Sequence, residues 1–210
     1  MDRITLAQSG RNEIVIKKSR FITSMGRVAT AEEAEAFVAD VRRTNRKANH
    51  NVWAARIGWP VSVERASDDG EPSGTAGAPT LRGLTVHDVS NVVTVTTRYF
   101  GGIKLGAAGL IRAYTQSVTE AISTLGLVQL VAERELNITT DYATYQVVDN
   151  YLREHELTAT ADFTDHVVIH VFLAAEQDAA VQAELTNITS AKVAFSFGTT
   201  RTAEVPLKEQ

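Results

Sequence analysis

The last third of the chain alternates strand and helix patterns in an order that few folds use. Hydrophobic periodicity gives a strand, a helix, two strands, a second helix and a last strand within about 65 residues. The segments are Leu136–Thr140, Tyr142–His155, Leu157–Phe163, His166–Leu173, a helix through Ala180, Val181 and Leu185, and Lys192–Phe197. This βαββαβ order predicts a ferredoxin-like domain.

The part of the chain before this unit has a different pattern and is predicted to form a separate domain. Its predicted elements are a long or broken strand over residues 13–28, a helix after a T-x-x-E capping box at residues 30–33, strands over residues 51–57 and 91–97, and a helix from Gly106. The pattern changes between Gly126 and Arg134. We therefore predict an α+β protein with a first domain over residues 1–128 and a ferredoxin-like domain over residues 129–210.

Composition and charge limit the kind of protein that this chain can be. The 210 residues include no cysteine, which excludes disulfides, thiol catalysis and cysteine metal sites. Residues 1–127 carry 16 basic and 12 acidic side chains, whereas residues 128–210 carry 5 and 13. This asymmetry indicates either an anionic partner for the first domain or unequal surface charge with no role. Because the sequence shows no apolar signal segment or membrane span, we expect a cytoplasmic protein that does not bind membranes.

One stretch, TRYFGGIKLGAAGLIRAY over residues 97–114, runs from the end of a strand through a glycine turn into a helix. Its glycines allow a tight turn, and the first amides of the helix have no partner within the helix. Such amides favour an anion, because they lie at the positive end of the helix dipole. Three cations surround the turn, namely Arg98, Lys104 and Arg112. The stretch is therefore either a phosphate site or a strand–helix junction with solvated cations.

Residues 66–79, ASDDGEPSGTAGAP, are predicted to form one irregular loop. The loop contains three carboxylates in four residues, Asp68, Asp69 and Glu71. These acids could bind Mg²⁺ or act as acid and base, or they could be solvated in an Asp-Gly turn. They could also pair with Arg98 or Arg112 and so join the loop to the glycine turn. The sequence leaves all three interpretations open.

A second basic stretch follows the first predicted helix. It comprises Arg42, Arg43, Arg46 and Lys47, with His50, Trp53 and Trp59 nearby. Cations interleaved with aromatic rings can hold phosphates and stack bases, but the same pattern fits a helix C-terminus beside core tryptophans. The histidines form no H-E-x-x-H motif, and no serine lies in a G-x-S-x-G motif. The sequence thus supplies no recognisable nucleophile–base pair.

Three segments, taken together, resemble one family of proteins. They are NHNVWA over residues 49–54, SDDGEPSGTAG over residues 67–77 and TRYFGGIKLG over residues 97–106. On these motifs the chain resembles the YigZ/IMPACT family, in particular its bacterial two-domain form. The resemblance implies a first domain with the left-handed βαβ fold of a ribosomal-protein domain and of the fourth domain of elongation factor G. It also implies a ferredoxin-like second domain and a role with RNA or the ribosome, without an established reaction.

Two positions depart from the pattern of that family. Ala78 lies where the family often has arginine or lysine, and His50-Asn51 replaces a pair of histidines. An anion or metal site that needs those groups would be weaker in this chain.

We predict a non-enzymatic, translation-associated or regulatory protein that binds RNA, a ribosome or another nucleic acid through an anion-binding face of the first domain. The alternatives are an enzyme that acts on a nucleotide or a phosphorylated small molecule, and a regulator that binds a protein partner. No cofactor is predicted, with Mg²⁺ at the acidic loop left open. The predicted binding residues are His50, Arg98, Tyr99, Phe100, Gly101, Gly102, Lys104, Gly106 and Arg112. The predicted acidic-loop residues are Asp68, Asp69, Gly70, Glu71, Ser73, Gly74 and Thr75.

Overall fold

The structure is a computed structural model, and it describes residues 3–207. The strands are β1 (Ile4–Leu6), β2 (Gly10–Ile16), β3 (Ser19–Arg27), β4 (His50–Ile57), β5 (Val63–Ser67), β6 (Val92–Tyr99), β7 (Leu127–Thr140), β8 (Ala159–Phe163), β9 (Val167–Ala174) and β10 (Val193–Pro206). The helices are α1 (Ala31–Thr44), α2 (Gly77–Val86), α3 (Ala107–Leu125), α4 (Tyr142–Glu154) and α5 (Asp178–Ile188). Within this described part, no helix combines the length and the apolar character needed to cross a membrane.

The chain forms two compact units. The first ends at Leu130 and resumes at Glu204, and the second is Val131–Ala203. The division lies within β7, so this one strand contributes residues to each unit. The predicted two-domain α+β organisation is confirmed.

A five-stranded antiparallel sheet in the order β2–β3–β6–β4–β5 forms the centre of the first unit. β2 and β3 form a hairpin whose turn residues, Lys17 and Lys18, have φ of 47° and 66°. The strand pattern over residues 13–28 therefore belongs to a pair of strands rather than to one. Every residue of β6 from Val92 to Arg98 is buried.

Helices cover both faces of this sheet and so explain the burial of β6. On one face, Val38 of α1 shares a core cluster with Val93 and Val95. On the other face, Val118 of α3 shares a cluster with Val92. Successive side chains of a strand point to opposite faces, so the apolar residues of β6 serve two cores. The C-terminal end of β6 is thereby held rigidly, and the glycine turn follows it directly.

The second unit contains a sheet in the order β10–β7–β9–β8 and the helices α4 and α5. β9 pairs antiparallel with β7 on one side and with β8 on the other. The core of this unit includes Leu136, Ile138, Leu152 and Leu185. The chain order of this unit is βαββαβ, and the predicted ferredoxin-like domain is confirmed.

Several elements have limits that differ from those predicted. The irregular loop over residues 66–79 is shorter, because β5 extends to Ser67 and α2 begins at Gly77. The sequence of α2, GAPTLRGLTV, contains two glycines and a proline and so has weak helix propensity. β7 begins at Leu127 and β10 continues to Pro206, so both strands are longer than predicted. The added part of β10, residues 198–206, is mostly polar and lacks the apolar alternation that marks a strand.

Candidate functional site

The glycine turn joins β6 to α3 and is anchored to β3. Gly101 donates its backbone N–H to Ser19 Oγ at 3.2 Å, and a Cβ at Gly101 would lie 2.0 Å from the carbonyl carbon of Lys18. Gly102 and Gly106 have φ of 85° and 71°, a region that favours glycine. The N-cap of α3, Gly106, provides no side-chain hydrogen bond to the first amides of the helix. This residue therefore leaves the positive end of the helix without a side-chain cap of its own.

A cleft of about 470 Å³ lies beside the turn. It receives residues from all three segments that carry the family resemblance. The predicted site residues that line it are His50, Glu71, Arg98, Phe100, Lys104 and Gly106. Tyr99 and Arg112 do not line the cleft.

The charged centre of the cleft is a buried ion pair. Arg98 Nη1 donates to Glu71 Oε1 at 2.6 Å, and their side chains are only 7% and 3% exposed. The buried hydroxyl of Tyr114 donates to the same carboxylate oxygen at 2.8 Å. Burial, together with the neighbouring Glu71 carboxylate, raises the pKa of Tyr114 far above its ordinary value, so the hydroxyl stays a donor. Glu71 thus links the acidic loop to the end of β6 through Arg98 and to α3 through Tyr114. Pairing of a loop acid with Arg98 was one of the three interpretations that the sequence left open.

Arg98 has a buried donor that none of the described residues accepts from. Its Nε is buried and has no hydrogen-bond partner among the described residues. Its guanidinium lies 5.4 Å from the centre of the Phe21 ring and 5.7 Å from that of Phe100, within the range of a cation–π contact. Phe21 is buried, whereas Phe100 is 46% exposed. The arginine therefore supports an aromatic ring at the mouth of the cleft.

His50 is the cross-strand partner of Arg98 between β4 and β6 and is held by the acidic loop. Its Nδ1 lies 2.9 Å from the backbone carbonyl oxygen of Asp69, which can only accept a hydrogen bond. Nδ1 is therefore the protonated nitrogen, and Nε2 faces Glu71 Oε2 at 3.9 Å. This arrangement fixes the orientation of the ring.

Asp68 organises the loop rather than the cleft. Its two carboxylate oxygens accept hydrogen bonds from the backbone N–H groups of Gly74, Ala76 and Gly77 at 2.7–3.0 Å. Burial alone would raise the pKa of Asp68, but these three donors outweigh it and hold the pKa below the ordinary value of 3.8. Asp68 thus supplies the first turn of α2 with the acceptor that its own N-cap, Ala76, lacks.

Replacing Asp68 by alanine is expected to lower the free energy of unfolding by about 1–2 kcal/mol at pH 7, the cost of a lost cap. Because the folded pKa is depressed, the contribution is complete above the unfolded value of 3.8 and disappears as the pH falls through the folded value. Urea unfolding from pH 7 to pH 3 should show the wild type and the variant converging below about pH 4. Glu35→Ala, which removes the acid of an exposed pair with Arg65, should cost less than about 1 kcal/mol. A gap for Asp68→Ala that grows toward acid would contradict this assignment.

Two further loop residues, Asp69 and Thr75, also form hydrogen bonds within the protein. The carboxylate of Asp69 accepts from Arg42 Nη2 at 2.5 Å and from the backbone N–H of Asn51 at 2.6 Å. Thr75 is buried and donates to the carbonyl oxygen of Pro72 at 2.6 Å. Gly70 and Gly74 have positive φ, and Ser73 is exposed. Within residues 3–207, no three histidines and acids are grouped so that they could hold a metal ion. A Mg²⁺ site at this loop would require these contacts to rearrange.

The structure divides the second basic stretch into separate groups. Arg42 pairs with Asp69 and Arg43 with Asp40, and Trp53 packs against the core beneath α1. Trp59 lines a different pocket from His50. The arginines and tryptophans of this stretch therefore lie in separate places, and phosphate binding by its cations stays a prediction. Arg112 is exposed on α3, and Glu71 forms its ion pair with Arg98 rather than with Arg112.

Five exposed cations lie at the end of the sheet where β6 leads into the glycine turn, and Lys104 among them also lines the cleft. We call them the basic rim: Lys17, Lys18, Arg46, Lys47 and Lys104. The turn at Lys17–Lys18 abuts Gly101. The segment that carries Arg46 and Lys47 runs along the end of β6, because Asn49 bonds through its backbone N–H to the Arg98 carbonyl and through its side chain to the N–H of Phe100. Among the described residues, no acidic side chain forms an ion pair with any rim residue.

Sequence reasoning missed three contributors to this region. In the sequence, Lys17 and Lys18 interrupt two strand patterns. The signal that could have identified them is a pair of basic residues at a hairpin turn. Tyr114 fits the apolar face of α3, and nothing in the sequence distinguishes its buried hydroxyl. Tyr99, in contrast, is half-buried, and its hydroxyl donates to Asn45 at 3.2 Å while Arg20 lies over its ring. Phe100 is therefore the aromatic ring that this end of the sheet leaves exposed.

Similarity to known proteins covers both units. Residues 17–122 match the family described as the Impact N-terminal domain, and residues 138–192 match a domain of unknown function, DUF1949. The chain is 39% identical to the IMPACT family member YvyE of Bacillus subtilis over 90% of this chain and 87% of that protein. It is 34% identical to the IMPACT family member YigZ of Escherichia coli over 83% of this chain and 87% of that one.

Two further matches differ in how much of the chain they cover. The Protein IMPACT homolog of Saccharomyces cerevisiae is 36% identical over 44% of this chain and 37% of its own length. A crystal structure described as that of a hypothetical protein matches 92% of this chain and 96% of its own, with 30% identity and a TM-score of 0.59. The matches to the bacterial relatives extend over both units. The chain therefore belongs to the YigZ/IMPACT family, in its bacterial two-domain form.

Proposed function

We propose that this protein binds RNA, free or within a ribosome, through the basic rim and the cleft of its first unit, and that it does so without catalysing a reaction. The observation that carries the proposal is the rim itself. Five exposed cations, which form no ion pair with an acid among the described residues, lie near one exposed phenylalanine, Phe100, at a single end of the sheet.

The physical chemistry of single-stranded RNA fits such a surface. Cations that neutralise phosphates release bound counterions, and this release supplies most of the sequence-independent affinity. Exposed aromatic rings add about 1–3 kcal/mol for each base that stacks on them. Phe100 is 46% exposed, and the Arg98 guanidinium near its ring restrains its position. The translation-associated proteins that the motifs resemble point toward the same class of ligand.

The contacts of the acidic loop favour binding over catalysis. An enzyme acting on a nucleotide would use the clustered acids as metal ligands or as general bases. In this chain Asp68 holds backbone amides, Asp69 holds Arg42 and a backbone amide, and Glu71 holds Arg98 and Tyr114. Each acid therefore already has a structural partner.

The double variant Lys17→Ala/Lys18→Ala tests the proposal. We expect it to weaken binding to a single-stranded oligonucleotide and to reduce the slope of log K against log salt by about 1.4, since each phosphate contact contributes about 0.7. Fluorescence anisotropy over a range of salt concentrations measures this slope.

The matched control is Arg82→Ala/Arg112→Ala, which removes the same charge from exposed positions on α2 and α3 outside the rim and the cleft. It should leave the slope unchanged. Equal slopes for the wild type and the rim variant, or an equal loss in the control, would contradict the proposed surface. Tight binding that ignores salt would overturn the proposal as a whole.

A further inference from the structure

We infer that the cleft receives the terminal phosphomonoester of an RNA strand, bound at the start of α3 between Lys104 and Arg98. This inference rests on the RNA binding proposed above, and it names the part of the RNA that enters the cleft.

The start of α3 provides the first half of the site. Gly106 is the N-cap and has no side chain, and the first turn of this 19-residue helix contains no acid. The first amides of a helix have no partner within it and lie at the positive end of its dipole. Gly106 and Ala107 both line the cleft, so this helix end faces the space that a ligand would occupy.

Arg98 provides the second half, and it is an independent observation. Its side chain is 93% removed from solvent and lines the same cleft. The ion pair with Glu71 uses Nη1, whereas Nε is buried without a partner in the described part of the chain. A buried donor without an acceptor is costly. An anion in the cleft would place negative charge beside the Arg98 guanidinium, which carries this donor.

Charge and size favour the end of a strand over its middle. Glu71 neutralises one unit of positive charge, which leaves Lys104 and the helix dipole to attract the ligand. A phosphomonoester carries about −1.5 to −2 charges at pH 7 and three terminal oxygens, whereas an internal phosphodiester carries one charge. A space of about 470 Å³ has the size of a small-molecule site and would hold a single nucleotide. Phe100, at the mouth of the cleft, is placed to stack the base of that nucleotide.

The test compares hexauridylates that differ only at their ends. One has a 5′-phosphate, one has a 3′-phosphate, and one has hydroxyls at both ends. Calorimetric titration of the full chain should show one phosphorylated form binding at least about tenfold tighter than the hydroxyl form, as an added charge-assisted contact would give. The two phosphorylated arms distinguish a 5′ end from a 3′ end.

Two variants locate this preference in the cleft. Lys104→Ala should reduce the ratio toward one, and so should Ala107→Pro, which removes an amide donor at the first helical position, where proline is tolerated. The rim variant Lys17→Ala/Lys18→Ala should weaken all three oligonucleotides alike and leave the ratio unchanged.

The outcomes separate this inference from the proposed function. Equal affinity for all three oligonucleotides in the wild type overturns the inference and leaves RNA binding intact. If no oligonucleotide binds, the proposed RNA binding is wrong. Titration with uridine 5′- and 3′-monophosphate, compared with uridine, then tests phosphate binding in the cleft independently of RNA. Preference for a monophosphate supports the phosphate site, and equal or absent binding of the three overturns it.

Discussion

Replacing Glu71 by alanine is expected to lower the free energy of unfolding by about 3–5 kcal/mol, the usual cost of removing one partner from a buried ion pair. The substitution leaves the guanidinium of Arg98 buried without its counter-charge and the hydroxyl of Tyr114 without its acceptor. Neither group can turn to solvent, because both side chains lie inside the unit. Chemical denaturation at pH 7 measures the loss directly.

Two controls show whether the buried charge causes this loss. Glu71→Leu/Arg98→Met removes both charges and should cost less than Glu71→Ala, since a buried ion pair is often replaced by apolar residues at little cost. Asp40→Ala breaks the exposed pair with Arg43 and should cost less than about 1 kcal/mol. A double variant at least as unstable as Glu71→Ala would mean that the packing of these side chains, and not their charge, holds this region together.

Gly101→Ala is expected to be the most disruptive glycine substitution in the turn, with a loss of about 3 kcal/mol or more of unfolding free energy. Its Cβ would lie 2.0 Å from the carbonyl carbon and 2.1 Å from the oxygen of Lys18, both of which are backbone atoms. No rotamer can relieve such an overlap, so the β2–β3 turn and the glycine turn must separate. Thermal unfolding would report the loss as a lower Tm, and RNA affinity should fall with it.

Gly102→Ala is the matched control for this substitution. A Cβ at Gly102 would meet no atom within 4 Å, so only the backbone strain of φ 85° applies. That strain costs about 1–2 kcal/mol. A loss for Gly101→Ala no larger than that for Gly102→Ala would contradict the prediction, because Gly101 does not have a positive φ and only its overlap with Lys18 should penalise the added Cβ.

Periodicity predicted the second unit well because its apolar residues repeat at regular spacing. Leu136 and Ile138 alternate along β7, and Val148 and Leu152 repeat at helical spacing in α4. α2, in contrast, was not predicted from the sequence. Its capping acceptor, Asp68, lies eight residues before Ala76 in the chain, and local sequence rules do not describe a cap that comes from outside the helix.

The candidate site was predictable in its segments but not in its internal pairing. The motifs identified the glycine turn, the acidic loop and the stretch around His50, and the cleft receives all three. The partner of Glu71 could have been Arg98 or Arg112, because both lie close to the turn in sequence. Tertiary packing selects Arg98, since β6 is buried on both faces and directs that side chain inward, while Arg112 is on the exposed side of α3.

The central claim is that RNA contacts the end of the first unit that carries the basic rim and the cleft. Ultraviolet crosslinking of the full chain to an oligouridylate, followed by mass spectrometry of the crosslinked peptides, tests it most directly. We predict crosslinks at Phe100 and in the peptides that contain Lys17–Lys18 and Lys104, and we predict their loss at high salt. Crosslinks confined to residues 131–203, or crosslinks to the first unit that avoid all three of these positions, would contradict it.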